Sequence, residues 1–163
     1  MINVRLSTTM GDIVLALDDV KAPLSVANFM SYLNSGHYKG TIFHRVISGF
    51  MIQTGGFDTN MRMKPAPQKV QNEARNGLKN VKYSVAMART SDPHSASAQF
   101  FINTVDNAFL DYPGQDGWGY AVFGEVVQGH EVVDKIGQVP TGAQDVPREK
   151  VVIDSAEVVT GGE

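Results

Sequence analysis

Ile2, Val4 and Leu6 alternate with polar residues, Met10-Gly11-Asp12 reads as a turn, and Ile13 to Leu17 alternates again. That period of two predicts an opening antiparallel hairpin. The period then changes. Pro23 suits the first residue of a helix, where its missing N–H would be unpaired anyway. Val26, Phe29, Met30 and Leu33 follow at helical spacing, and Gly36 is a natural stop. Two short strands, Thr41 to Ile47 and Phe50 to Thr54, are predicted around a turn at Ser48-Gly49. A long polar stretch, Asp58 to Lys82, holds two prolines and an Asn76-Gly77 turn signal. A loop of that length inside a domain is expected to wrap the surface or to serve function.

Tyr83 to Ala88, Gln99 to Thr104 and Tyr120 to Val127 are runs of aromatic and β-branched residues, hence strands. His130 to Ile136 is a second helix with Val132, Val133 and Ile136 on one side, and Val151 to Val159 is a last strand. Many short strands between turn signals indicate an all-β barrel or sandwich, with two helices available to cap its ends. The pattern leaves strand number and closure open.

Composition narrows the function classes. A chain of 163 residues is expected to fold as one domain, 1–163, with a real core. Its 42% hydrophobic and 19% charged residues are those of an ordinary globular protein. A formal charge of -3 offers no electrostatic case for nucleic acid or an anionic membrane. The absence of cysteine excludes disulfides, thiolate catalysis and Cys-ligated zinc. The four histidines lack zinc-ligand spacing, so no metal is expected, and no cofactor either. The Gly55-Gly56 pair is no phosphate loop, and no nucleophile elbow supports a hydrolase. The first residues lack the unbroken apolar run of a signal peptide, and no segment is long enough to span a bilayer. Cytoplasmic location and a monomer are the default expectations.

The stretch with chemistry is Phe43 to Phe57, FHRVISGFMIQTGGF. It sets one cation, Arg45, near an apolar run of Phe50, Met51 and Ile52, followed by Gln53. Neighbouring strand residues point to opposite faces, so His44 and Arg45 cannot share a surface. An arginine facing a concave apolar surface suits an amide flanked by apolar substituents. Taken alone, an arginine on a strand is more often a surface or ion-paired residue.

FHRVISGFMIQTGGF closely resembles the signature of the cyclophilins, the peptidyl-prolyl cis/trans isomerases. The resemblance continues through VAMARTSDPHSASAQFFINTVDNAFLD and GWGYAVFGEVVQG, in order and with similar spacing. It implies a mainly β fold: a closed eight-stranded antiparallel barrel capped by two α-helices. The implied activity is rotation about X–Pro bonds in peptides and unfolded chains, assisting folding. A rival reading is a proline-peptide binding module or chaperone with incidental turnover. By resemblance, Arg45 is the catalytic arginine and Gln53 holds it and touches substrate. Phe50, Met51, Phe101 and Leu110 form the proline pocket, and Gln99 lines the groove. Ala88 and the backbone of Arg89 match the strand that pairs with bound peptide, while His44 and Tyr120 match rim positions.

Departures from the eukaryotic pattern are informative. Phe109 falls where many relatives carry tryptophan, so the indole N–H is lost and cyclosporin is expected to bind with reduced affinity. Tyr120 stands where histidine is frequent, keeping an aromatic wall. Arg89 stands where asparagine is common, and its long cation is expected to bias peptide choice. Thr54 replaces a glycine and is expected to alter the bend after Gln53. These features are similar to those of bacterial cytosolic cyclophilins. Phe43, Phe100 and Ile102 are expected in the core; His37, His94 and His130 face solvent; Trp118 packs near the groove edge.

Overall fold

The computed structural model describes residues 1–159, so the expected 1–163 domain ends with four residues, 160–163, outside the described residues. The opening hairpin pairs β1 (Ile2–Thr8) with β2 (Gly11–Leu17), in register from Ile2 opposite Leu17 to Thr8 opposite Gly11. Gly11 is required at the turn. Its φ is 131°, and an added Cβ would sit 2.8 Å from Cγ2 of Val132, on the second helix.

Helix α1 (Pro23–Asn34) starts at the predicted proline. None of its own side chains caps it. The carboxylate of Glu73, in the long polar loop, instead accepts the N–H groups of Leu24 and Ser25 at 3.2 and 2.6 Å. An anion there satisfies orphan donors and complements the helix dipole. The same loop exchanges hydrogen bonds with Tyr32, whose hydroxyl donates to the Gln68 carbonyl and accepts the Gln68 N–H. The predicted loop therefore wraps and fastens α1.

The remaining elements are β3 (Arg45–Ile47), β4 (Met51–Thr54), β5 (Ser84–Met87), β6 (Phe100–Asn103), β7 (Val122–Gln128), α2 (His130–Ile136) and β8 (Ile153–Val159). The eight strands form one antiparallel sheet in the order β3-β4-β6-β5-β7-β2-β1-β8. It rolls until its ends meet. Phe43 N–H donates to Val151 O at 2.9 Å and Ile153 N–H to Thr41 O at 2.8 Å, across an Ile42–Val152 bridge. This seam explains why β3 is shorter than predicted: Thr41 to Phe43 pair across the closure, not with β4. Tyr83 adopts φ 72° and stays outside β5, and Tyr120 N–H bonds Leu110 O, placing it in a loop before β7.

Alternation along the strands sorts side chains into two clusters. Ile52, Val85, Phe100, Ile102 and Phe123 point inward, where Phe29 of α1 and Val132, Val133 and Ile136 of α2 join them. Phe29 lies 4.9 Å from the Tyr38 ring and 5.4 Å from Phe100. Met51, Ala86, Phe101, Leu110 and Val122 form a separate cluster on the other face. That second face carries the candidate site.

Candidate active site

The register of five strands aligns the key residues in one row. Arg45 is opposite Gln53, Gln53 opposite Phe101, Phe101 opposite Ala86, and Ala86 opposite Val122. Residues directly opposite lie close on one face of the sheet. The row therefore runs from a cation through an amide to an apolar floor. Val46, Ile52, Phe100 and Val85 alternate with it and belong to the core.

Above the row lies an open cavity of about 360 Å³. Ten of the twelve predicted residues line it: Arg45, Gln53, Phe50, Met51, Ala88, Arg89, Phe101, Phe109, Leu110 and Tyr120. Phe50 and Phe109 stack with centroids 5.9 Å apart, and Phe101 meets Tyr120 edge-on at 5.8 Å. Phe109 is 54% exposed, giving the site an apolar lip facing solvent.

Gln99 is not a lining residue but stands behind one. Gln53 Nε2 donates to Gln99 Oε1 at 2.9 Å, and Arg45 Nη1 donates to Gln53 Oε1 at 3.4 Å. Gly56 makes room for this relay, since a Cβ there would lie 2.4 Å from Gln99 Nε2. Ala88 N–H donates to Gln99 O at 3.1 Å, tying the strand after β5 to the same residue.

His44 does not line the cavity, contrary to the rim position expected for it. The chain is extended, so its ring points away from the Arg45 face and lies 4.5 Å from Phe57. Burial, aided by the neighbouring Arg45 charge, lowers its pKa to about 4, so it is neutral at pH 7. Its Nδ1 is buried without a hydrogen-bond partner.

The Arg89 side chain also departs from expectation. Its guanidinium is spent on the protein, donating to Gly119 O, Thr90 O and Asp116 Oδ2, and its side chain is only 3% exposed. It is no free cation awaiting a peptide. Thr54 is fully buried, and its hydroxyl donates to Ile42 O at 2.8 Å, next to the turn at Gly55. His37, expected in solvent, is buried, with Nε2 2.8 Å from Gly55 O and its ring against Tyr32 and Tyr38. His94 and His130 are half-buried against Trp118 and Tyr83.

Sequence reasoning missed two parts of the site. Gly114, Gln115, Asp116 and Gly119 form one wall, from the glycine-rich loop between Asp111 and Tyr120. A turn cluster was visible there; its position over the cavity was not. The second part is a buried amide network beneath Phe109 and Leu110. Asn103 Nδ2 donates to Asn80 Oδ1 and Ser84 Oγ, while Asn107 Nδ2 donates to Asn103 Oδ1 and Phe50 O. Asn80 N–H reaches Asp111 Oδ1 at 2.6 Å. An asparagine ending the apolar run FFIN was the available signal.

The family model for cyclophilin type peptidyl-prolyl cis-trans isomerase/CLD matches residues 3–158. The chain belongs to the cyclophilins. Peptidyl-prolyl cis-trans isomerase cyp18 of Streptomyces antibioticus is 58% identical, over 98% of this chain and 99% of that relative. Peptidyl-prolyl cis-trans isomerase B of Escherichia coli K12 is 55% identical, over 95% and 98%. Among solved structures, a Cryptosporidium parvum cyclophilin type isomerase, crystallised in the presence of the dipeptide Ala-Pro, superposes with TM-score 0.82 at 26% identity. That match covers 98% of this chain and 99% of the other. This cyclophilin's rolled sheet is thus a family architecture.

Proposed function

We propose that this cyclophilin binds proline-containing chains in the cavity beside Arg45 and catalyses rotation about the X–Pro bond. The reading is carried by the cross-strand row, which sets the Arg45 fork beside a floor of Phe101, Met51 and Leu110. Rotation must break amide resonance, a barrier of roughly 18–20 kcal/mol. No bond is made or cut, so the catalyst needs only to bind the twisted amide better than either planar form. In the twisted state the proline nitrogen becomes pyramidal and gains a lone pair. Arg45 donates to it, and Gln53 orients Arg45 and meets the substrate.

Phe50, Met51, Phe101, Phe109 and Leu110 hold the proline ring, Tyr120 forms the far wall, and Ala88 with the Arg89 backbone pairs with the peptide. A charge-assisted hydrogen bond contributes about 1.5–3 kcal/mol. A million-fold acceleration needs about 8 kcal/mol, so fixed orientation and partial exclusion of water supply the remainder. Unfolded chains are the natural clients, the role is assistance to folding, and the working unit is a cytoplasmic monomer of one domain. Phe109 brings no N–H donor to the lip, so cyclosporin binds weakly. Its inhibition constant should fall markedly on Phe109→Trp, and an unchanged constant would refute that assignment.

Titration of a short X–Pro peptide into ¹⁵N-labelled protein tests the location. Shift changes should centre on Arg45, Gln53, Ala88, Phe101 and Tyr120, and Phe101→Ala should weaken binding. Changes centred elsewhere would overturn the assignment.

A further inference from the structure

The loop between Asp111 and Tyr120 is closed on itself. Tyr120 N–H donates to Leu110 O at 2.9 Å, so the loop begins and ends at one point. Gly114 and Gly119 touch inside it: an added Cβ at Gly114 would lie 2.9 Å from Gly119 Cα, and one at Gly119 2.8 Å from Leu110 O. Both have positive φ, 58° and 73°, so the backbone crossing depends on the two glycines. Gly114, Gln115, Asp116 and Gly119 then face the cavity.

Three donors converge on one carbonyl of this loop. Gly119 O accepts from Asn72 Nδ2 at 3.0 Å, Arg89 Nε at 3.2 Å and Arg89 Nη2 at 2.8 Å. Arg89 Nη2 also donates to Asp116 Oδ2 at 2.7 Å, while Asp116 Oδ1 accepts the N–H groups of Trp118 and Gly119. The Arg89 hydrogen bond, helped by those two N–H groups, holds the Asp116 carboxyl down at about 2. The guanidinium carbon also stands 4.4 Å from the centroid of the Tyr120 ring, and Phe101 meets the same ring. A planar fork can bond a carbonyl and a carboxylate while stacking on an aromatic face; an ammonium cannot.

We infer that Arg89 is a positioning residue whose side chain latches the 111–119 loop, and with it Tyr120, as the fixed far wall of the peptide cavity. The latch joins the strand expected to pair with the peptide backbone to the wall expected to meet its side chains. Peptide affinity and wall position are therefore set by one side chain that itself contacts no substrate. The inference rests on reading this cavity as the proline site.

Trp118 is the sole tryptophan, so its fluorescence reports directly on the latched loop. Arg89→Lys keeps the charge and loses the fork, and Asp116→Asn, at an exposed position, removes the negative charge and the acceptor oxygen that faces Arg89 Nη2. Both should raise acrylamide quenching of Trp118, Arg89→Lys by about twofold. Arg89→Lys should raise KM for an X–Pro peptide about fivefold or more with kcat changed by less than about threefold, and Asp116→Asn should shift KM in the same direction by less. Unchanged quenching and KM in the folded variants would overturn the latch. Looser Trp118 with unchanged KM, or a fall in kcat alone, would show that the loop is not the peptide wall. Phe101→Ala, run alongside, separates the two readings. If it too leaves KM unchanged, the cavity assignment fails; if it alone raises KM, the latch fails.

Discussion

Gly56→Ala is a small change with a calculable reach. Gly56 is buried with a φ outside the left-handed region, so its backbone accepts alanine. The new Cβ would lie 2.4, 2.5 and 2.6 Å from Nε2, Cδ and Cγ of Gln99, against roughly 3.5–4.0 Å for an ordinary contact. The Gln99 amide must retreat by about 1 Å. That breaks its 2.9 Å bond to Gln53, and the Gln53 amide is then free to turn from Arg45. The lost bond costs about 1 kcal/mol of stability, and the lower unfolded-state entropy of alanine offsets about 0.4–1 kcal/mol. Stability should therefore stay within about 1 kcal/mol of wild type.

Activity should suffer more, because a misplaced donor loses its bond chiefly in the twisted state. A tenfold fall in kcat/KM, about 1.4 kcal/mol, is the expected scale. Gln99→Ala removes the group that clashes and should produce a similar fall alone. In that background Gly56→Ala should add less than about twofold, the signature of two changes acting through one bond. Exchange line shapes of an X–Pro peptide provide the rates, and thermal unfolding checks the fold. Gly56→Ala at full activity, or effects that multiply with Gln99→Ala, would refute the relay.

Other consequences are read from the same contacts. Asn103→Ala strips Asn80 Oδ1 and Ser84 Oγ of a donor and Asn107 Nδ2 of an acceptor, in a fully buried setting. It should cost about 3 kcal/mol and lower Tm by about 6–12 °C; a shift under about 3 °C would contradict the network's role. His44 has a folded pKa lowered from 6.5 to about 4. The unfolded chain then binds more protons across that window, so stability is full above about pH 6.5 and declines as pH falls toward 4. His37 is shifted in the same direction, mainly by burial. Denaturant midpoints from pH 7.5 to 4 should fall less in a His44→Asn, His37→Asn double variant; parallel curves would exclude both histidines. The proposed mechanism relies on an arginine and involves no proton transfer, so kcat/KM should be flat from pH 6 to 8. A bell-shaped profile would contradict that.

Local periodicity made the opening hairpin, α1 and α2 readable, because each buries residues spaced by its own repeat. The candidate site was legible through the motif resemblance rather than through periodicity, and the strand registers then set Arg45, Gln53 and Phe101 in one row. What stayed hidden depends on partners far along the chain. Glu73 caps α1 from 48 residues beyond Ser25, and the extended lead-in Thr41–Phe43 pairs with Val151–Ile153. His37 looked like a surface residue until Gly55, Tyr32 and Tyr38 enclosed it. Arg89 is the sharpest case. As a lone long cation it looked available to substrate, and only tertiary structure supplies Gly119, Asp116 and Tyr120 to occupy it.

Arg45 is proposed to act on the twisted amide over an apolar floor. Cis-to-trans exchange of a short X–Pro peptide, followed by NMR with wild type and Arg45→Ala side by side, tests it most directly. Uncatalysed exchange takes tens of seconds or longer near 25 °C, so catalysis is unmistakable. Wild type should accelerate exchange strongly, and Arg45→Ala should lose about 10- to 200-fold, the loss of one charge-assisted bond, while still binding peptide. A folded wild-type protein without acceleration, or an Arg45→Ala variant as fast as wild type, would contradict the account.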